Sequence, residues 1–130
     1  MGMKPPGMAF KFAKQMTKQL PHPGADQITL TRVLAALSDP IRLAIVATLA
    51  RTGERGWSEF ELPVGKSTLS HHLKVLREAG VIQHRKDGTR CWIAPREELE
   101  REFPGLLGTV LALAETQTDP DTLVSIIKAS

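Results

Sequence analysis

The sequence predicts a mainly α-helical domain carrying one β-hairpin, and three observations predict it. Apolar residues recur at helical spacing in several short stretches, each bounded by a cap or a breaker. A single Asp-Gly pair, Asp87-Gly88, sits between two runs of β-prone residues. The 130 residues, 42% hydrophobic and 24% charged, suffice for one domain with a modest core.

Met8, Phe12, Met16 and Leu20 fall every fourth residue and predict an amphipathic first helix, with Lys11, Lys14 and Lys18 off its stripe. Pro21-His22-Pro23-Gly24 ends it. Residues 1–25 therefore read as a basic helix and linker, and residues 26–130 as the domain proper. Asp26 is the expected cap of a second helix carrying Ile28, Leu30, Val33, Leu34 and Leu37. Ser38-Asp39-Pro40 stops that helix and starts a third, with a side-chain cap followed by proline at the first helical position. Ile41, Ile45 and Leu49 form one face of the third helix, and Thr52-Gly53 closes it. Glu54 to Gly65 has room for a brief helix or turn only.

The next helix is expected from Ser67 to Ala79. Leu69, Leu73 and Leu76 face inward at i, i+4 and i+7, and Ser70, His71, Lys74 and Arg77 lie largely off that stripe. Gly80 is the expected left-handed C-cap, with Val81 making the hydrophobic contact that accompanies it. A two-residue loop at Asp87-Gly88 pairs Arg85 with Arg90, His84 with Cys91, Gln83 with Trp92 and Ile82 with Ile93. Pro95 is expected to open a Glu-rich helix that Phe103-Pro104-Gly105 ends. Leu106, Leu107, Val110, Leu111, Leu113 and Ala114 make a broad apolar face on the following helix. Asp119-Pro120 is expected to cap a last one with Leu123, Ile126 and Ile127.

Charge narrows the function. Residues 1–25 hold four lysines (Lys4, Lys11, Lys14 and Lys18) and no acid. Residues 66–96 hold Lys66, Lys74, Arg77, Arg85, Lys86, Arg90 and Arg96 against Glu78 and Asp87. The stretch after residue 96 is acidic. A basic middle suits a polyanion such as nucleic acid. No apolar run approaches the ~18 residues of a membrane span. The basic stripe at the N-terminus reads as core or a partner contact rather than a membrane anchor. The lone Cys91 excludes an intramolecular disulfide. No apolar leader region stands at the N-terminus, so the cytoplasm is the expected compartment.

Gly65-Lys66-Ser67-Thr68 resembles the end of a nucleotide-binding phosphate loop, but the first glycine of that pattern would stand at Phe60. A bulky side chain there blocks the backbone nest that cradles phosphates, and Pro63 removes a needed N–H. No catalytic constellation is persuasive, so no enzymatic function and no cofactor are expected.

Several helices, a cap-to-glycine helix and a hairpin together describe a winged helix-turn-helix. Lys66, Ser67 and Thr68 are expected to meet backbone phosphate at the helix N-terminus, and Ser70 and His71 to approach base edges. Lys74 and Arg77 extend the same surface. Arg85, Lys86 and Arg90 are offered by the wing to the flanking backbone, and a polyanion would relieve the repulsion between paired arginines.

"LAALSDPIRLAIVATLA" and "KSTLSHHLKVLREAGVIQHRKDGTRCWI" together resemble the ArsR-type (ArsR/SmtB) transcriptional regulators over about residues 30 to 93. The resemblance implies a homodimer that binds an inverted repeat in double-stranded DNA, usually as a repressor released by an inducer. It implies that the first and last helices build the dimer interface, with Phe12, Met16, Leu20, Leu106, Leu107, Val110, Leu111 and Leu113 as candidates, each equally open to a role in the intramolecular core. Metal-sensing members carry a cysteine pair before the recognition helix or Asp, His and Glu ligands on the last helix. Glu54 to Gly65 has neither cysteine nor histidine, and that segment is shortened. His22, His71, His72 and His84 have no useful ligand spacing, so no metal site is expected. Alternatives are a repressor responsive to redox through Cys91 or to a metal, and a winged-helix dimerisation module that does not read DNA. An inert small apolar Cys91 is favoured over a reactive one.

Overall fold

The computed structural model describes the backbone of Thr17–Gln19 and all of residues 21–60 and 64–117. Met8, Phe12, Met16, Leu20, Pro63 and the expected last helix after Asp119 lie outside the described residues. Helix α1 spans Leu30–Leu37 and α2 spans Pro40–Thr52. They meet at a bend of 102°. The bend is built by Asp39, whose carboxylate accepts from the N–H groups of Ile41 (2.9 Å) and Arg42 (3.0 Å). Pro40 follows at the first helical position, where no N–H is missed. Gly53, at φ +82°, closes α2 as expected.

Asp26 does not cap α1. It sits in a separate 3-10 turn, Ala25–Gln27, and the chain then runs extended through Ile28 and Thr29. Thr29 is the cap, its Oγ1 accepting from the Arg32 N–H at 3.4 Å. The extended step buries Ile28 in the core.

Strand β2, Arg55–Gly56, and a 3-10 turn, Trp57–Glu59, follow α2. Phe60 follows and is buried in the core, so the position that a phosphate loop would give to glycine is a packing position. Helix α3 then runs Lys66–Glu78. Its C-terminus is a Schellman motif: Val81 N–H donates to Leu76 O at 3.0 Å, and Gly80 N–H to Arg77 O at 3.0 Å. Gly80 has φ +86°, and its α-carbon faces Ile28 so closely that a Cβ would stand 2.6 Å from Ile28 Cγ1.

Strands β3 (Ile82–Asp87) and β4 (Arg90–Pro95) form the hairpin, and α4 (Glu97–Glu102) and α5 (Leu106–Glu115) complete the described chain. The loop is Gly88-Thr89 rather than Asp87-Gly88, so the register differs from the expected one. Arg85 faces Trp92, His84 faces Ile93, Lys86 faces Cys91 and Asp87 faces Arg90. Within the loop only Gly88 takes positive φ (+65°), and no non-glycine residue does among those described. The expected type I′ turn would have required it of Asp87, whereas glycine at the first loop position suits a type II′ turn. Each partner moves by two residues, so every side chain keeps its face. The like-charge pair Arg85–Arg90 and the pair His84–Cys91 do not exist.

Pro95 ends β4 instead of opening a helix. Arg96 is extended, donates its N–H to Val81 O (3.1 Å) and precedes α4. Thr17–Gln19 form β1, not the end of a helix. The sheet is antiparallel in the order β1-β3-β4-β2. Its inner face, with Ile82 and Ile93, packs with Val33, Ile45, Leu49, Leu73, Leu76 and Leu99 into one core.

Candidate nucleic-acid interface

Leu69, Leu73 and Leu76 are buried under α3, and this fixes which residues the helix shows to solvent. Lys66, Ser67, Thr68, Ser70, His71 and Lys74 are all exposed, a small polar and basic stripe one helix long. Arg77 is half-buried at its end. The helix N-cap is Gly65, which supplies no side-chain cap. Among the described residues no side chain caps α3, and phosphate would be a fitting acceptor for its first N–H groups.

The two adjacent histidines divide the labour. His71 is exposed, and His72 is 8% exposed. Arg42 Nη1 donates to His72 Nδ1 at 3.2 Å, while Arg42 Nε donates to Ala36 O at 2.7 Å. His72 Nδ1 also lies 3.9 Å from Asp39 Oδ2. One cluster thus ties α1, α2 and α3 together directly beneath the exposed stripe. Burial pushes the Asp39 carboxyl upward, but the Arg42 N–H, His72, the Arg42 guanidinium and the Ile41 N–H outweigh it and hold the group below the usual range.

The wing stands beside α3, which packs against β3. Lys86 and Arg90 are exposed near its tip, where Arg90 is registered with Asp87. Arg85 is less available than the sequence suggests. Its Nη2 lies 3.2 Å from both carboxylate oxygens of Glu54, and its guanidinium carbon lies 5.8 Å from the Trp92 ring centroid. A phosphate reaching Arg85 competes with Glu54 for the Nη2 donors. Behind the wing, His84 is buried and neither ring nitrogen has a hydrogen-bond partner among the described residues. Burial, then the nearby Arg77, His22 and Lys86, push its pKa down to about 4, so the ring is neutral at pH 7.

The pattern that defines the bacterial regulatory proteins of the arsR family matches residues 39–84, from the α2 cap to the middle of β3. A helix-turn-helix-type transcriptional regulator of Bacillus subtilis is 38% identical over 89 residues, 65% of this chain and 88% of the relative. A biofilm growth-associated repressor of Xylella fastidiosa is 32% identical over 90 residues, 68% of this chain and 78% of the relative. A helix-turn-helix-type regulator of Methanocaldococcus jannaschii is 39% identical over 59 residues, 44% of this chain and 66% of the relative.

The chain belongs to the arsR family.

It is a DNA-binding transcriptional regulator with a winged helix-turn-helix fold. In this ArsR-family regulator the helical element described between α2 and α3 is the 3-10 turn Trp57–Glu59. Glu59 holds that turn in place: its carboxylate accepts from the Gly56 N–H at 2.7 Å and from Arg55 Nη1 at 3.1 Å. Of the apolar candidates on α5, Leu106, Leu107, Val110 and Leu111 are partly buried against the core, while Leu113 is 63% exposed. Among the described residues no group of three or more His, Cys, Asp or Glu lies together as a metal site would require. No single helix among them is long and apolar enough to cross a membrane. Cys91 is a half-buried free thiol.

Sequence reasoning missed β1, the Glu54 clasp on Arg85 and the inward role of His72. A three-residue strand is too short to show periodicity. The burial of His72 was readable, since it stands three residues after Leu69 and four before Leu76, on the same side of α3.

Proposed function

We propose that this ArsR-family protein is a homodimeric, cytoplasmic repressor that reads an inverted repeat in double-stranded DNA, needs no metal and has no enzymatic activity. The observation that carries the reading is the exposed stripe of α3, Ser67, Ser70, His71 and Lys74, opposite the buried Leu69, Leu73 and Leu76 and beside a basic wing. Ser70 and His71 contact base edges. Lys66, Ser67 and Thr68 engage backbone phosphate through side chains and helix N–H groups, and Lys74, Arg77, Lys86 and Arg90 extend the phosphate contacts. Arg85 joins them by exchanging Glu54 for phosphate.

The repressor direction rests on the relatives named as repressors. The dimer is supported by exposed apolar side chains on two helices, Leu30 and Leu34 on α1 and Leu113 on α5. Leu106, Leu107, Val110 and Leu111 support that face, and Phe12, Met16 and Leu20 are proposed to join it. Release would come through an inducer. A mobility shift with DNA from upstream of its own gene tests the reading. Tight binding that falls steeply with salt is expected. Weak binding, equal for a scrambled duplex, would refute it.

A further inference from the structure

A cavity of about 300 Å³ opens between the α1–α2 corner and the last turn of α5. Its walls are apolar, with Leu37, Leu43 and Ala47 on one side and Leu111 and Ala114 on the other. Its volume stands at the small end of the range that takes organic ligands. The charged groups that line it share one sign. They are Asp39 and Glu115, and no lysine, arginine or histidine lines it among the described residues. Two helices also end there, α1 at Leu37 and α5 at Glu115, and neither has a basic residue in its last turn. Helix C-termini carry partial negative charge that a cation stabilises. The opposite end of α2 is already answered by Asp39, which accepts from the Ile41 and Arg42 N–H groups. Both bonds fall on Oδ2, and Oδ1 takes part in neither.

The cavity lies on the core side of α5. Leu111, Ala114 and Glu115 share one face at helical spacing. Leu113, the exposed residue proposed for the dimer, points about 200° away from Leu111 around the helix. Asp39 also links the cavity to the recognition helix. Its Oδ2 lies 3.9 Å from His72 Nδ1, which Arg42 Nη1 contacts at 3.2 Å. His72 precedes Leu73 in the core of α3 and follows His71 of the exposed stripe.

We propose that this cavity binds a small organic ammonium ion, its apolar body lying between Leu43 and Leu111 and its charge meeting Asp39 and Glu115. Bound there, the cation competes with His72 and Arg42 for the Asp39 carboxylate. That competition loosens the seating of α3 and lowers affinity for DNA. The site stands on the cavity itself, and its effect on DNA rests on the DNA-binding reading above.

The probe is phenethylammonium, compared with the neutral 2-phenylethanol of the same shape and with the anion phenylacetate. Each is titrated into the full-length protein, and methyl NMR of alanine-labelled protein locates the binding. The cation is expected to saturate and to shift the methyls of Ala44, Ala47 and Ala114. The alcohol is expected to bind about two- to fivefold more weakly, as for the loss of one exposed ion pair, and phenylacetate not to bind. Glu115→Gln should weaken the cation by a similar factor and leave the alcohol unchanged. Ala114→Leu, which adds bulk to the cavity wall, should abolish both. Equal binding of cation and alcohol, shifts confined to other methyls, or no saturation overturns the site. Operator affinity is then compared with and without saturating cation. A loss in the wild type that the Ala114→Leu protein does not show is expected. An equal loss in both, or no loss in the wild type, overturns the effect on DNA and leaves the site standing. A wild type that takes the cation and binds no DNA refutes the DNA-binding reading and not the site.

Discussion

At the residue scale, burial sorts side chains that the sequence leaves alike. His71 is exposed on α3, and His72 is locked against Arg42 and Asp39. His84 is the third case, a buried ring held neutral among cations. Its depressed pKa makes a pH prediction whose sign is fixed. An unfolded chain binds a proton at this ring below about 6.5, the ordinary histidine value. The folded chain resists protonation down to about 4. The stability this provides is complete above pH 6.5 and is lost as pH falls towards 4. Thermal or urea unfolding at pH 7.5 and pH 5 is expected to differ by about 1–2 kcal/mol through this residue. A His84→Leu protein should lose that part of the difference, and an unchanged difference would show that His84 does not cause it. Exposure of this kind was partly legible. Leu69, Leu73 and Leu76 mark the inner face of α3 from spacing alone. Arg85 was not legible, because Glu54 comes to it from 31 residues away.

At the element scale, caps were legible and register was not. Asp39-Pro40 and Gly80 were readable because a cap is a local chemical fact, settled within one turn of chain. The hairpin loop was misassigned by one residue because Asp-Gly and Gly-Thr both offer a glycine, and the choice depends on how the whole sheet pairs. β1 was hidden for the same reason. Among the described residues it pairs with the edge of β3, and nothing inside Thr17-Lys18-Gln19 announces that. Gly80 gives the sharpest element-scale prediction. Gly80→Ala must place a Cβ at positive φ and 2.6 Å from Ile28 Cγ1. The expected cost is about 1–3 kcal/mol, read from the denaturation midpoint. An Ile28→Ala, Gly80→Ala double variant removes the γ and δ carbons that the new Cβ would meet, so it should cost less than the sum of the two single variants. A single variant as stable as the parent would contradict the packing of the α3 terminus described above.

At the scale of the whole molecule, the arsR-family assignment joins the sequence pattern to the surface proposed to read DNA. The fold class, the recognition helix and the wing were all legible from residues 30 to 93. The assembly was less so, because apolar residues on α5 serve the core and a partner alike. Leu111 is partly buried, and Leu113, two residues on, is 63% exposed. Leu113→Glu is expected to leave the fold intact and to shift sedimentation equilibrium from dimer towards monomer. A variant that stays dimeric would remove Leu113 from the interface.

The central claim is that a dimer reads sequence through Ser70 and His71 on α3. Selection from a pool of random duplexes by the full-length protein tests it most directly. The expected result is enrichment of an inverted repeat with half-site centres about one helical turn apart, roughly 10 base pairs. The same selection with a Ser70→Ala, His71→Ala protein should give a degraded consensus, each lost base contact relaxing discrimination by about 1–3 kcal/mol. A wild-type selection that yields no common sequence would contradict the account.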